Sequence, residues 1–373
     1  MSKEKINLEQ IRTSLSNAGD PWKAGVTNLS LLSFAEQIKY LGVRPPPGEP
    51  TIDEIEQRVE SMKESLKAEM LTAVGAPAAY DLRNVGGYNF VTPIKDQKGC
   101  ASCVGFGTTA TVESRLRVQR GDPNLAVDLS EAHLFLCLGR ATGASCSSGW
   151  WPANAYDAFQ KTGATEETCY PYDLGLSKLD CSGLCSDWAN RVTKITGYTD
   201  LTGKPADIKN WVSTKGPVSA CLIVYNDFFS YKSGIYKHVS GGQAGGHCVT
   251  IIGYNDNPGY WICKNSWNTG WGEQGFFNIA YSECGIDSWA NHGVNAIENT
   301  GWHTNCHVIG LWTVDLDRNA WVCFDGGLGW RKISPDNDNI FLDMLAQLIA
   351  AKAVGRPVSF SDENSVIKQI YVY

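Results

Sequence analysis

Hydrophobic and polar positions along the chain change rhythm three times. Ile52, Ile55, Val59, Met62, Leu66 and Met70 recur at three- and four-residue spacing among charged neighbours, which predicts an amphipathic helix whose apolar stripe needs a surface to cover. The run Arg44-Pro45-Pro46-Pro47-Gly48 breaks any earlier helix and separates residues 6–42 from 51–73. Such a segment has little core of its own, so residues 1–75 are expected to lie on the unit that follows.

From about residue 76 to 300 a helical half gives way to a strand-rich half. Helices are expected over 103–120, 130–138 and 152–162. Short apolar or aromatic runs bounded by Gly, Pro and Asn predict strands over 218–225, 248–254, 260–264 and 275–281. Helices first and strands second imply an α+β domain of two lobes with a cleft between them. Residues 301–373 form a third, β-rich unit. Strands over 308–314, 319–324 and 330–333, a helix stripe of Ile340, Phe341, Met344, Leu345, Leu348 and Ile349 closed by Gly355, and strands over 356–360 and 366–373 resemble the order of an OB-fold. Trp312, Trp321, Trp330 and Tyr371 read as core of that small barrel.

Composition narrows the function. The chain has 373 residues, a net charge of −7 and a pI near 5.5, which argues against nucleic acid and anionic membranes as partners. No apolar run reaches the roughly 18 residues of a membrane span. Thirteen cysteines favour an oxidising compartment, and the odd count leaves at least one thiol over. Met1 to Ile6 lack the apolar core of a signal peptide, so a secreted or lysosome-like protein with its signal trimmed is expected. No zinc spacing is present, and no cofactor is called for.

The chemistry concentrates in Gln97-Lys98-Gly99-Cys100-Ala101-Ser102-Cys103, which places a candidate thiolate at a helix start with an amide donor six residues upstream. A thiol needs a base, and His247 follows Gly245-Gly246 at the head of an apolar run, a site position, whereas His133 reads as one helix face. Asn265, in Lys264-Asn265-Ser266-Trp267, lies where a neighbouring strand faces His247 and can orient its ring.

Gln97-x-x-Cys100-x-Ser102-Cys103, Gly246-His247 and Asn265-Ser266-Trp267 together resemble the papain family of cysteine peptidases. Pro77 to Arg83, Leu129-Ser130-Glu131, Tyr170-Pro171-Tyr172 and Gly216-Pro217-Val218 extend the likeness over residues 77–298. Val224 to Phe228 and Tyr231 to Tyr236 are most similar to cathepsin B, and Trp22-Lys23-Ala24-Gly25 with Leu41-Gly42 to its short propeptide.

The resemblance implies a papain-like two-lobe fold and a zymogen whose first 75 residues inhibit a peptidase acting on polypeptides. Cys103 would attack the scissile carbonyl, His247 shuttle the proton and Asn265 hold the imidazole, the first two resting as a thiolate–imidazolium pair. Gln97 and the Cys103 N–H would bind the oxyanion. Gly149 would pair with substrate backbone, Trp267 would contact substrate, and Trp289 would floor the S2 pocket. Disulfides Cys100–Cys146 and Cys137–Cys181 are implied in the same way; proximity suggests Cys169–Cys185 and Cys306–Cys323.

Departures from the family pattern are Val104 in place of Trp after the nucleophile, with Gly105 expected to loosen the helix start, and an extra residue in Cys146 to Pro152. No paired-histidine insertion appears between Gly163 and Trp211, which favours endopeptidase action over C-terminal dipeptide removal. An inactive papain-fold binding protein and a peptide ligase or acyl transferase are the alternatives.

Overall fold

A computed structural model describes residues 6–72, 75–298, 301–363 and 365–372. The N-terminal segment carries α1 (Leu8–Asn17), β1 (Trp22–Ala24), the short α2 (Phe34–Gln37) and α3 (Ile52–Thr72). Asn7 caps α1 with a full capping box, satisfying N–H groups that would otherwise be orphaned.

The segment has no core of its own. Ile11, Leu15, Trp22 and Leu29 are buried within the core of the strand-rich lobe, and Ile55 and Val59 within that of the helical lobe. Leu66 is buried too, whereas Met62 is 41% exposed, and the side chain of Met70 lies outside the described residues.

β2 (Ala79–Asp81) belongs to the sheet of the strand-rich lobe, and the helical lobe contains α4 (Cys103–Arg120), a widened π turn over Ala132–Cys137, α5 (Pro152–Lys161) and α6 (Tyr172–Lys178). α4 stops where Gly121 takes a left-handed conformation (φ 63°), and Arg117 and Arg120 complement its carbonyl end. Gly105 does not loosen this helix as expected. A Cβ at Gly105 would meet Phe135 Cβ at 3.1 Å, and one at Gly107 would meet Cys248 Sγ at 2.8 Å. The missing side chains let α4 sit tightly between the lobes, and Val104 is fully buried.

The strand-rich lobe adds β3 (Ile195–Asp200), α7 (Pro205–Thr214), β4 (Val218–Tyr225), β5 (Tyr231–Tyr236), β6 (Gln243–Asn255), β7 (Tyr260–Lys264), β8 (Phe276–Ala280) and β9 (His292–Ile297). The sheet runs β1-β5-β8-β7-β6-β4-β9-β3, with β2 also on β6. Its edge strand, β1, comes from the N-terminal segment. Trp22 anchors it: the indole packs on Tyr231 and Tyr236, and Nε1 donates to the Lys237 carbonyl at 2.8 Å. Buried charges tie the lobes. Lys95 pairs with Glu113 of α4 and with Glu131, and Lys264 donates to Thr92, which donates to Glu113.

The third unit holds β10 (Gly301–Cys306), β11 (Val308–Thr313), β12 (Ala320–Phe324), β13 (Gly329–Ile333), α8 (Asp338–Val354), β14 (Val358–Glu363) and β15 (Val366–Val372). β10 and β11 are halves of one interrupted strand; β10 pairs with β14 and β11 with β12. The order β10-β14-β15-β13-β12-β11, with β13 and β15 parallel, therefore closes into the five-stranded OB topology.

The barrel core is Val308, Val322, Phe324, Ile333, Val358, Phe360 and Ile367, with Phe341 and Leu348 from α8. The aromatics expected inside are not there: Trp312 is 50%, Trp330 48% and Tyr371 59% exposed. Strand alternation puts them on the outer face.

Three disulfides join Cys100 to Cys146, Cys137 to Cys181 and Cys169 to Cys185. The pair Cys306–Cys323 does not form. Cys306 faces Val358 across β14, whereas Cys323 faces Gly310, four residues further along the interrupted strand.

Candidate active site

Cys103 is the first residue of α4, where unpaired N–H groups give a helix its partial positive charge. The Cys100–Cys146 disulfide and the bond from Ala101 N to Cys146 O (3.1 Å) fix the loop that delivers it.

His247 lies on β6 opposite Leu222 of β4, and Asn265 directly follows β7. Pairing of β6 with β7 brings them together, and His247 Nε2 lies 2.8 Å from Asn265 Oδ1. The Ser266 N–H donates to the same oxygen at 2.8 Å, so Nε2 must be the protonated nitrogen. Nδ1 is then the basic atom, and it is buried without a hydrogen-bond partner. Trp267 tilts over the imidazole, ring centroids 4.5 Å apart, and is itself fully buried.

Gln97 is held at every polar atom. Its N–H donates to Ser266 O (2.9 Å), its carbonyl accepts from the Tyr172 hydroxyl (2.8 Å), and Oε1 accepts from Ser266 Oγ (2.8 Å). With Oε1 occupied in this way, the amide NH₂ faces the loop before Cys103. Ser266 and Tyr172 are the residues that sequence reasoning missed. Both stand in motifs that it quoted, but their role appears only when three chain segments meet.

A peptide backbone already covers the thiol. Gln97 Nε2 donates to the Tyr40 carbonyl at 3.1 Å, Trp150 N to Gly42 O at 2.8 Å, Val43 N to Gly246 O at 3.1 Å and Arg44 N to Trp150 O at 3.0 Å. The strand-like pairing of Val43 with Trp150 is parallel. Only glycine fits over the sulfur, because a Cβ at Gly42 would lie 2.0 Å from the Ala101 carbonyl oxygen. Gly149, with φ 75°, abuts Gly42, but the backbone bonds expected of it are made by Trp150. The Trp150 side chain points away, edge-on to Phe135 and bonded to Thr142. Trp289 is buried; its ring and Val43 Cβ both crowd the empty side of Gly246, and Ile55 and Val59 face its base across Gly285.

Cover alters the charges. Burial drives the His247 pKa down to about 4, against the pull of Asn265 and the Tyr40 backbone, and pushes the Cys103 thiol well up. Burial thus opposes charge on each of these two groups in the covered form. His133 is structural: it is buried, and Nδ1 accepts from Thr165 N at 3.1 Å. Among the described residues no cluster of His, Cys, Asp and Glu suits a metal ion, and no helix is long and apolar enough to cross a membrane.

A buried histidine oriented by an amide, a helix-start thiol and an amide donor beside it, set between a helical and a β-rich lobe, define a cysteine peptidase architecture. Residues 76–294 match the model of the papain family of cysteine proteases. The chain belongs to that family. It is 34% identical over 227 residues to Cathepsin B-like CP2 of Giardia intestinalis, covering 58% of this chain and 74% of that protein, and 35% identical to Cathepsin B-like CP3 over the same shares.

The fold is similar to procathepsin B S9 from Trypanosoma congolense (TM-score 0.61, 24% identity, 78% of this chain and 98% of that one). A digestive procathepsin L2 from Tenebrio molitor is also similar (TM-score 0.60, 27% identity, 77% and 88%). These neighbours are precursor forms, and the chain is a cysteine peptidase zymogen.

Proposed function

We propose that this zymogen becomes an endopeptidase working through Cys103, His247 and Asn265, with Gln97 and the Cys103 N–H binding the oxyanion. The observation that carries the reading is the backbone of Tyr40 to Arg44 across the thiol, with the Tyr40 carbonyl on the Gln97 amide. A site that holds one peptide backbone by matched donors and acceptors can hold another.

Once the segment leaves, desolvation of Cys103 and His247 ends, and the Sγ proton can move to Nδ1. The thiolate attacks the substrate carbonyl, Gln97 stabilises the oxyanion, and the imidazolium returns the proton to the leaving amine. Water then hydrolyses the acyl-enzyme. Trp150 takes the substrate backbone through its N–H and C=O, and Trp289 closes the pocket beside it to long or charged side chains.

The parallel pairing of Val43 supports residues 1–75 as an intramolecular inhibitor that lies across the site without being cut. The interval 163–211 is filled by α6, the Cys169–Cys185 disulfide and β3, and its sequence carries no paired-histidine insertion, which supports internal cleavage of polypeptides. Three disulfides support a secretory or lysosome-like setting.

The test is to acidify the purified chain, sequence the new N-termini and label with an epoxysuccinyl peptide. A new terminus near Ala76 to Tyr80, labelling at Cys103 and hydrolysis of an internally quenched peptide are expected. Hydrolysis that survives Cys103→Ala would sink the proposal. Peptide products capped by an added amine, in place of free acids, would turn it toward acyl transfer.

A further inference from the structure

Free thiols gather behind the site. Cys103, Cys221 and Cys248 are buried in one core, whereas Cys263 and Cys284 belong to the core on the other face of the sheet. The catalytic reading uses Cys103 and leaves its two neighbours without a role.

Strand register makes those neighbours a pair. Cys221 of β4 stands directly opposite Cys248 of β6 in the antiparallel ladder, so both side chains leave the sheet on the same face. The Cys221 N–H turns away from β6 and donates to the Trp289 carbonyl at 3.1 Å. The pair is therefore of the non-hydrogen-bonded kind, in which the Cα atoms lie about 4.5 Å apart and the side chains approach most closely. A disulfide requires about 4.4 to 6.8 Å between Cα atoms, and the Cys100–Cys146 bridge of this molecule spans 4.4 Å. The two thiols can be joined without moving either strand far.

Cys248 also borders both reactive groups. It follows His247 in the chain, and its own N–H bonds the Cys103 sulfur, an interaction that opposes the effect of burial on that thiol. Its Sγ lies 2.8 Å from where a Cβ at Gly107 would be, one turn of α4 beyond Cys103. A cavity of about 10 Å³, room for about one water molecule, adjoins Cys248 beside Ala110, Lys264 and Asn265, so the residue is not packed on every side.

We propose that Cys221 and Cys248 are a redox modification site, closed to a disulfide by hydrogen peroxide, and that the closed pair slows turnover by displacing His247. The Cys248 thiolate attacks one peroxide oxygen, the O–O bond breaks, and the departing hydroxide takes up the thiol proton as water. The Cys221 thiol then attacks the resulting sulfenic acid. The S–S bond forms, the S–O bond breaks, and hydroxide leaves with the Cys221 proton as a second water; two electrons have passed from the thiols to the peroxide. Closure replaces a sulfur contact of roughly 4 Å by a bond of about 2 Å. A close-packed core passes that shift to its neighbours, here His247 and the N–H on Cys103. Misplacing a catalytic group by 1 Å can cost about 10²-fold in rate. The effect on turnover rests on the catalytic role proposed for His247; the bridge itself does not.

The experiment therefore has two arms. In the first, the full chain carrying Cys103→Ala is treated with hydrogen peroxide, its remaining thiols are alkylated in denaturant, and its peptides are weighed. A linked Cys221–Cys248 peptide that dithiothreitol splits is expected. Recovery of both cysteines alkylated, oxidised singly to sulfonic acids or bridged to other cysteines overturns the inference. In the second arm, activated enzyme is treated while a reversible peptide aldehyde shields Cys103, and both reagents are then removed. kcat should fall at least fivefold at unchanged KM, and dithiothreitol should restore it. Cys221→Ala, which bears on no reacting atom, should start with the wild-type kcat and keep it through the treatment. Cys248→Ala should likewise keep whatever kcat it starts with. An equal loss in either variant overturns the inference, as does a linked peptide in wild type with kcat unchanged. Enzyme inactive before any oxidation would instead count against the proposed catalysis, with the first arm still deciding the bridge.

Discussion

At the level of single residues, the site depends on orientation more than on the identity of its reactive groups. Asn265 Oδ1, fixed as an acceptor by Ser266 N–H, leaves His247 Nδ1 as the only basic ring atom. Gln97 is aimed by Ser266 Oγ on its other side. Gln97→Ala should lower kcat of the activated enzyme by about 10²- to 10³-fold, the usual loss for one oxyanion donor. Ser266→Ala removes only the hydrogen bond that orients this donor, worth about 1 kcal/mol, so a several-fold fall in kcat at unchanged KM is expected. Steady-state kinetics on a fluorogenic peptide measure both, and a Ser266→Ala enzyme with wild-type kcat would show that the hydroxyl does not orient Gln97.

At the level of elements, the Tyr40 to Arg44 stretch works because Gly42 has no side chain. Gly42→Ala puts a carbon 2.0 Å from the Ala101 carbonyl oxygen and leaves the mature domain untouched. The intact chain should then hydrolyse peptide at neutral pH at least tenfold faster than wild type, and the free segment bearing the same change should inhibit the activated enzyme correspondingly less.

Legibility also divides by element. Residues 103–120, 218–225 and 260–264 could be read to the residue, because one period runs between clear stops such as Gly121. Tyr172–Lys178 and Ile195–Asp200 could not, being short and stabilised mainly by what they pack against. The thiol, imidazole and amides of the candidate site stand in local motifs, which is why the sequence alone could single them out. Trp150 as the backbone partner was hidden by an extra residue in its loop, and the outward tryptophans were misread because hydrophobicity alone does not say which face of a barrel strand is filled.

For the whole molecule, cover and charge are linked. The His247 pKa is depressed when covered, to about 4 from an ordinary 6.5, so the covered state binds fewer protons than an open one over that interval. Its stability is intact above about pH 6.5 and falls as pH drops toward 4, by on the order of 3 kcal/mol if the open histidine is unperturbed. Alkylation of Cys103 and appearance of a new N-terminus should both accelerate between pH 6.5 and 4.5. Equal rates across that range would separate opening from His247.

The same departure has a mechanical side. β1 is the outermost strand at one side of the main sheet and belongs to the segment whose removal is proposed above; that removal would bare the N–H and C=O groups of Tyr231–Tyr236 along one side. Activation therefore trades an inhibited cleft for an open sheet edge. A mature form without the segment would present a place where another extended chain can add itself.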